Sequence, residues 1–307
     1  MDASKIVIAG GTGLIGSLLR SRFEDQGREV VVLSRREGKG QIKWDGKTHG
    51  FWAQSLEGAD AVINLSGVSV AMAWTEKNKR VIEDSRVQPT QAIAEAVRKC
   101  GTPPKVWINA SAVGFYGDAG PREVSEATRA GSGFMGDLCK KWESACLSED
   151  TPRTRKVVAR LGVVLDRNSP FIKAASMAAK LGVGGALGSG KQYVSWVHSQ
   201  DVLRMFEWCL YEPVTGPINV CAPYPVTNSE FMAALRRLYF RPPVPAAPAG
   251  LLKLFAGLVG KESEILLTGQ RAVPEIALSK GFRFKFDRIE PALADVLDAV
   301  PEAWKSA

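Results

Sequence analysis

A glycine-rich turn between an apolar run and a helical segment constrains the fold of this chain more than any other feature. Residues 5–9 read KIVIA, and residues 10–16 then read GGTGLIG. A short run of branched apolar residues that ends at glycine is typical of a buried parallel strand. Residues 14–22 continue with the helical spacing of apolar side chains. The order of strand, glycine turn and helix predicts the first unit of a βαβ fold.

Strand-like and helical segments alternate through the first half of the chain. The later predicted strands are residues 29–33, 60–65, 105–110 and 155–165, and the longest predicted helices are residues 77–99 and 136–147. Strands that are apolar throughout are typical of sheets with both faces covered. The sequence therefore predicts an α/β fold, a Rossmann doubly wound parallel sheet with a smaller C-terminal α/β lobe.

The second half of the chain has a different texture. Residues 181–190 are rich in glycine, and residues 242–248 are rich in proline. We therefore expect a Rossmann domain in residues 1–165 and a substrate or lid lobe in residues 166–307. The strand-like residues 217–220 are expected to return to the sheet.

Composition excludes several classes of protein. The 307 residues are 45% hydrophobic and 23% charged, an ordinary globular balance. No apolar stretch reaches the roughly 20 residues of a membrane helix, and the N-terminus lacks the pattern of a signal peptide. We therefore expect a cytoplasmic protein with no membrane partner. Five widely spaced cysteines and two histidines argue against a disulfide framework and a metal cage.

The net charge of +8 raises the question of a nucleic-acid partner. Lysine and arginine are scattered along most of the chain, and no nucleic-acid-binding motif accompanies them. We interpret the charge as a solvated basic surface that also suits a phosphate-bearing ligand, and we expect no nucleic acid to bind.

The glycines of residues 10–16 suit a dinucleotide cofactor. Gly10 permits a tight turn out of the strand, Gly13 lets the backbone approach the pyrophosphate, and Gly16 lets the helix pack closely. The first N–H groups of the helix carry a partial positive charge that favours phosphate.

The end of the second predicted strand favours NADP(H) over NAD(H). Enzymes that use NAD usually have Asp or Glu there to bind the ribose 2′-hydroxyl. This chain has Ser34 and Arg35, followed by Arg36. A guanidinium offers planar donors and a fixed positive charge to a 2′-phosphate. The alternative is that Arg35 and Arg36 are ordinary surface charges.

Several of these segments resemble the extended short-chain dehydrogenase/reductase superfamily. They are GGTGLIG at 10–16, Ser34-Arg35, Asn64-Leu65-Ser66-Gly67 and SAVGFYGD at 111–118. Other segments are similar, in the same order, to its atypical branch of the NAD-dependent epimerase/dehydratase type. Among them are Ser85-Arg86, KWE at 141–143, RLGVVL at 160–165, GSGKQ at 188–192 and SWVH at 195–198. The resemblance spans nearly the whole chain and implies an extended Rossmann fold with a C-terminal lobe that closes over the cofactor. Extended members often dimerise through helices that flank the sheet, so we expect at most a homodimer.

Fourteen residues are predicted to bind the cofactor, from the glycine turn, the ends of the strands and the resemblance. They are Gly10, Thr12, Gly13, Leu14, Ile15, Gly16, Ser34, Arg35, Asn64, Leu65, Ser66, Gly67, Arg86 and Arg160.

The chain departs from the superfamily at the residues that carry protons. The superfamily uses Ser or Thr with a Tyr-x-x-x-Lys pair on one helix, in which the lysine makes the tyrosine a usable base. If Glu143 is matched to the glutamate that often follows that lysine, Cys139 takes the lysine position and Met135 the tyrosine position. The standard relay is therefore expected to be missing.

Three residues are candidates for the missing catalytic role. Counting back from the Tyr-Gly-Asp segment puts the catalytic hydroxyl on Ala112, with Ser111 one residue earlier. Tyr116 is a pocket wall or a proton donor, and the wall is favoured. His198 is an acid or substrate-orienting group, or else a structural cap of the following helix.

The resulting prediction is an NADP(H)-dependent oxidoreductase or epimerase-like enzyme. Its substrate would be a small polar metabolite, such as a sugar or a nucleotide-linked compound. The alternative is a weakly active or inactive NADP(H)-binding protein that acts as a redox sensor or an interaction partner.

Overall fold

A parallel sheet forms the centre of the computed structural model, which describes residues 4–250 and 262–298. The strands in this part of the chain are β1 (Lys5–Ala9), β2 (Glu29–Ser34), β3 (Gln41–Lys43), β4 (Ala61–Asn64), β5 (Val106–Ala112), β6 (Glu123–Val124), β7 (Arg155–Leu161), β8 (Val163–Leu165), β9 (Tyr193–Val194), β10 (Trp196–His198), β11 (Gly216–Val220), β12 (Val226–Thr227) and β13 (Arg271–Ala272). Seven of them form the main sheet in the order β11-β7-β5-β4-β1-β2-β3. Every neighbouring pair in this sheet is parallel.

Helices cover both faces of the sheet. Within the described residues they are α1 (Leu14–Asp25), α2 (Glu76–Lys99), α3 (Phe134–Leu147), α4 (Pro170–Lys180), α5 (Ser199–Tyr211), α6 (Asn228–Leu238), α7 (Glu264–Leu267), α8 (Glu275–Ser279) and α9 (Ile289–Val296). Short 3₁₀ turns occur at Phe51–Leu56 and Val113–Tyr116. None of the helices described here combines the length and the apolar character that crossing a membrane would require.

Alternate side chains of each strand enter two separate cores. Ile6 and Ile8 of β1 pack on the side of α1 and α5, together with Phe23. Val7 and Ala9 pack on the opposite side, with α2 and with Trp107 of β5. Because side chains alternate along a strand, strands that are apolar at every position supply both cores. The doubly wound sheet predicted from the sequence is therefore confirmed.

The order of the strands creates a crevice between β1 and β4. From β1 the chain moves outward to β2 and β3, and it then returns to place β4 on the other side of β1. The loops after β1 and β4 therefore leave the sheet at its carboxyl edge and diverge. Ligands of open α/β sheets bind at such a switch point.

The later elements extend the sheet and add a third core. β11 pairs with β7 at the edge of the main sheet, as expected for residues 217–220. β8 and β10 form a separate parallel pair, and the third core contains residues of α4, α6 and α9.

The predicted continuous strand 155–165 is interrupted at Gly162. β7 pairs inside the main sheet, whereas β8 pairs with β10. A Cβ atom on Gly162 would lie 2.6 Å from the carbonyl oxygen of Ser195. The break therefore lies where another backbone segment approaches too closely for a side chain.

Candidate functional site

A cleft of about 370 Å³ opens at the carboxyl edge of the sheet, at the switch point. Nine of the fourteen residues predicted to bind the cofactor line it, together with one predicted catalytic residue, Ser111. The nine are Gly10, Gly13, Leu14, Ile15, Gly16, Leu65, Ser66, Gly67 and Arg86. Most of the remaining wall is apolar and comes from β5, α3 and the β7–β8 junction. The fold thus brings together residues from Gly10 to Val164, which are far apart in the chain.

The glycine turn is packed tightly on one side and open on the other. Gly10 has a φ of +75°, and a Cβ there would lie 2.8 Å from the carbonyl carbon and oxygen of Leu65. A Cβ on Gly16 would lie 2.6 Å from the Cα of Gly11, so this glycine packs α1 against the turn itself. A Cβ on Gly13 would meet only the Gly10 carbonyl oxygen, at 3.4 Å. The backbone at Gly13 therefore faces the cleft without obstruction.

The N-terminus of α1 supplies donors at the floor of the cleft. No side chain caps this helix at Gly13, and its first turn contains no acidic residue. The first N–H groups of an α-helix have no acceptor within the helix. Those of Leu14 and Ile15 lie in the cleft wall, where they and the helix dipole favour a negatively charged group.

Hydrogen bonds of the Asn64 side chain hold the loop that follows β4. Its side chain is fully buried and donates to Asn109 Oδ1 at 2.8 Å and to Thr90 Oγ1 at 3.1 Å. Its Oδ1 accepts from the backbone N–H of Ser66 at 3.1 Å. The amide therefore holds the turn that places Leu65, Ser66 and Gly67 in the wall, and does not itself line the cleft.

Three further residues predicted to bind the cofactor, Thr12, Ser34 and Arg35, lie outside the cleft wall. Thr12 and Arg35 are exposed. The Oγ of Ser34 accepts the backbone N–H of Arg36 at 3.2 Å, which fixes the turn after β2. Among residues 4–250 and 262–298, no carboxylate lies within 4 Å of the guanidinium of Arg35 or Arg36. Both cations therefore stand at the end of β2, next to the carboxyl end of β1.

The positions of the missing relay are in the cleft. Met135 and Cys139 of α3 both line it, one helical turn apart. Cys139 is buried, and its Sγ lies 3.8 Å from the carbonyl oxygen of Ala112. Burial, assisted by the nearby Glu143, raises the pKa of the thiol to about 12. The chain therefore offers a protonated thiol and a thioether where a lysine and a tyrosine would be expected.

A buried ion pair lies behind this wall. Arg160 of β7 donates to both oxygens of Glu143 of α3, from Nε and Nη2 at 2.8 Å each. The Ser111 hydroxyl donates to Glu143 Oε1 at 2.6 Å. The charged side chains are only 4% and 6% exposed. Ser111 thus reaches the cleft with its hydroxyl already committed to a carboxylate.

Two predicted site residues belong to this network and not to the cleft. The remaining Nη1 of Arg160 donates to the Tyr116 hydroxyl at 3.0 Å, and that hydroxyl donates to Asn219 Oδ1 at 2.7 Å. The Arg160 guanidinium also lies 3.5 Å from the centre of the Phe115 ring. Burial raises the pKa of Tyr116 to about 12 despite Arg160. Neither side chain lines the cleft, so Tyr116 supports the wall from behind and Arg160 is held by protein groups.

The pairing of Glu143 with Arg160 was not predicted from the sequence. The sequence does place an arginine within the apolar strand 155–161 and a glutamate on the buried face of α3. Buried charges of this kind require a partner, but the sequence does not specify which one.

His198 lies away from the cleft and caps a helix. Its Nδ1 accepts the backbone N–H of Gln200 at 3.1 Å at the start of α5, and its ring stacks on Phe286. Its Nε2 lies 3.1 Å from Asp295 Oδ2. The structure therefore supports the structural interpretation of this histidine and not the catalytic one.

The protein is expected to become less stable as the pH is lowered, because His198 is buried. Burial lowers its pKa, against the opposing effect of Asp295 and Asp201, so the unfolded chain binds the proton more readily. The contribution of the neutral ring is complete above the unfolded pKa of about 6.5 and is lost as the pH falls towards the folded value. Unfolding by guanidinium chloride measures the free energy of unfolding of wild type and of His198→Asn, which keeps a capping group. This free energy should change less between pH 7 and pH 5 in the variant than in wild type. His49→Asn, at an exposed histidine, is the control, and equal slopes for all three proteins would contradict the expectation.

Comparison with known proteins agrees with this geometry. Residues 6–134 match the model of the NAD dependent epimerase/dehydratase family, and residues 247–296 match a domain of unknown function, DUF1731. An epimerase family protein of Mycobacterium bovis is 36% identical over 297 residues, which cover 95% of this chain and 97% of that protein. The human epimerase family protein SDR39U1 is 33% identical over 304 residues, with 95% and 99% coverage.

A solved structure extends the similarity to three dimensions. The crystal structure of human SDR39U1, isoform 2, with NADPH superposes with a TM-score of 0.88 at 31% identity. The match covers 96% of this chain and all of that one. The similarity therefore includes the Rossmann sheet and the later elements together, as the resemblance of the sequence segments implied. On these matches, the chain belongs to the SDR39U1-type epimerase family.

Proposed function

We propose that the protein is an NADP(H)-dependent oxidoreductase or epimerase-like enzyme that acts on a small polar metabolite, such as a sugar or a nucleotide-linked compound. The observation that carries the proposal is the uncapped N-terminus of α1, which lines a cleft at the switch point of a parallel sheet. The NADPH in the structure of human SDR39U1 supports the choice of cofactor.

The residues of the cleft suit the parts of a dinucleotide. The amides of Leu14 and Ile15 would hold the pyrophosphate beside Gly13, where no side chain obstructs it. The loop of Leu65, Ser66 and Gly67 would lie against the nucleosides. Arg35 would bind the 2′-phosphate at the end of β2. When bound, the cofactor would supply or accept hydride.

Titration of the purified protein with NADPH and with NADH is the experiment that tests this assignment. After removal of co-purified nucleotide, calorimetry should give saturable binding of NADPH and clearly weaker binding of NADH. Absence of binding by either nucleotide would refute the cofactor assignment, and with it the proposed enzyme.

The second candidate is an NADP(H)-binding sensor or interaction protein without turnover. Met135 and Cys139 at the relay positions favour it, because neither side chain replaces a tyrosine activated by a lysine. A panel of carbonyl and alcohol substrates, followed by absorbance of the reduced nicotinamide, separates the two candidates. Turnover of any member supports the enzyme. Tight NADPH binding without turnover, together with association of a partner that depends on cofactor redox state, supports the sensor.

Replacing Arg35 by glutamate is expected to weaken NADPH binding by about 100-fold and NADH binding by less than about 3-fold. The substitution removes a charged donor from the 2′-phosphate and puts a repelling carboxylate in its place. Lys39→Glu makes the same change of charge in the same loop and should leave the ratio of the two affinities unchanged. If both nucleotides lose affinity equally in Arg35→Glu, Arg35 does not bind the 2′-phosphate.

We also propose a reducing, cytoplasmic location and an assembly no larger than a homodimer. All five cysteines are free and buried, as is usual for a protein that does not depend on disulfides. Light scattering coupled to size-exclusion chromatography tests the assembly, and a species larger than two chains would contradict it.

A further inference from the structure

Arg86 of α2 is a buried cation without an anion. The residue is 9% exposed and its side chain lines the cleft. Its Nη1 donates to the carbonyl oxygen of Ile82 at 3.0 Å and to the Ser85 hydroxyl at 3.3 Å, and its Nη2 donates to the carbonyl oxygen of Val68 at 2.9 Å. All three acceptors are neutral. Within residues 4–250 and 262–298, no carboxylate lies within 4 Å of the guanidinium.

The energetics of this arrangement point to a ligand. Burying a charge without a partner is costly, and proteins normally pair it, as Glu143 pairs Arg160. Burial lowers the pKa of Arg86 to about 10, so the group is still protonated near neutral pH. An arginine has five N–H donors, and the three hydrogen bonds leave Nε and one hydrogen of Nη2 without an acceptor in the described chain. Nε and Nη2 form the edge of a guanidinium that binds an oxyanion with two parallel hydrogen bonds.

The guanidinium lies beside the positions of the missing relay. Its Cζ is 5.1 Å from the centre of the Trp142 ring, and Trp142 follows Cys139 by one turn of α3. Cys139 lines the cleft together with Arg86. Ser111 and Met135 line the same cleft. Arg86 therefore brings a positive charge from α2 to the region that a lysine at position 139 would serve from α3.

We propose that Arg86 is the oxyanion-binding cation of the reaction site and binds the substrate oxygen on which negative charge develops. The proposal rests on the function proposed above. It replaces the cofactor-binding role predicted for Arg86 from the sequence, because the N-terminus of α1 is assigned to the pyrophosphate of the cofactor. When a carbonyl carbon accepts hydride, the π electron pair of the C=O bond moves onto the oxygen. Arg86 holds the resulting alkoxide until a proton from water completes the alcohol. In the opposite direction the alcohol loses its proton to water and its hydride to the oxidised cofactor.

Acetate is a small oxyanion probe for this site. We would titrate the protein saturated with NADP⁺ with acetate by calorimetry, using wild type, Arg86→Gln and Arg86→Lys. We expect Arg86→Gln to weaken acetate binding by at least about 10-fold and Arg86→Lys to weaken it less, because lysine keeps the charge but loses the two-donor edge. Arg80→Gln, at an exposed arginine of the same helix, should match wild type.

NADPH affinity is the second readout. It should change by less than about 3-fold in Arg86→Gln, which also establishes that the variant is folded. A loss of NADPH affinity above about 30-fold, with acetate binding only to the cofactor-free protein, would overturn the proposal and assign Arg86 to a cofactor phosphate. Equal acetate binding by wild type and Arg86→Gln would also overturn it. If wild type binds neither nucleotide, the proposed function fails, and acetate titration of the cofactor-free proteins still decides whether Arg86 binds an oxyanion.

Discussion

Replacing Glu143 by glutamine is expected to lower the free energy of unfolding by about 3–5 kcal/mol. The substitution keeps the size of the side chain but leaves the Arg160 guanidinium charged and buried without a counter-ion. Burial acts against the charge of Arg160, yet the hydrogen bonds and charge of Glu143 raise its pKa, so the arginine does not escape by losing its proton. The Ser111 hydroxyl and Tyr116 would also lose their present arrangement.

Equilibrium unfolding in urea measures this effect. Glu76→Gln is the matched control, because Glu76 pairs with Lys79 on the exposed first turn of α2. Exposed pairs contribute about 0–1 kcal/mol, so the control should unfold close to wild type. A loss for Glu143→Gln no larger than that of the control would show that the buried pair does not hold β7 to α3.

Replacing Gly10 by alanine is expected to lower the affinity for NADPH by about 10-fold or more and to destabilise the fold by about 2–4 kcal/mol. Two causes contribute. The φ of +75° is unfavourable for alanine, and the new Cβ would lie 2.8 Å from the backbone of Leu65. Either the turn or the Leu65 loop must move, and both line the cleft.

Gly27→Ala separates these two causes. Gly27 has nearly the same φ, +74°, but a Cβ there would meet nothing within 4 Å. This control should lose only the conformational part, about 1 kcal/mol, and should bind NADPH as wild type does. Thermal unfolding and calorimetry on both variants measure the difference. Similar losses of stability for the two variants would mean that close packing of the glycine turn on the Leu65 loop contributes little.

Two buried arginines of this protein show that the partners of a charge decide its role. Arg160 is paired with the Glu143 carboxylate through Nε and Nη2, also contacts Tyr116 and an aromatic ring, and stabilises the wall of the cleft. Arg86 is also buried, but it has only neutral acceptors, and its Nε–Nη2 edge is unused. The charge of Arg160 is therefore balanced by the protein, whereas the charge of Arg86 is available to a ligand.

Patterns that act over a few residues could be predicted from the sequence. The KIVIA run and the glycines that follow it identified β1, the turn and α1, because strand burial, turn geometry and helix start are local properties. The alternation of later segments gave the doubly wound sheet and the return of β11. The spacing around Glu143 also predicted that Met135 and Cys139 replace the relay, and both residues lie in the cleft.

Tertiary structure decided which polar groups face the cleft. Arg160, Tyr116 and His198 each carry a functional group that suits catalysis or cofactor binding, but their partners are Glu143, Asn219 and the start of α5. The break at Gly162 depends in the same way on the approach of Ser195. Hydrogen bonds and close contacts of this kind join residues that are far apart in the chain. No local period encodes them, so the sequence by itself determined the scaffold and the location of the cleft, and only the packed structure decided which of its charged residues remain available to a ligand.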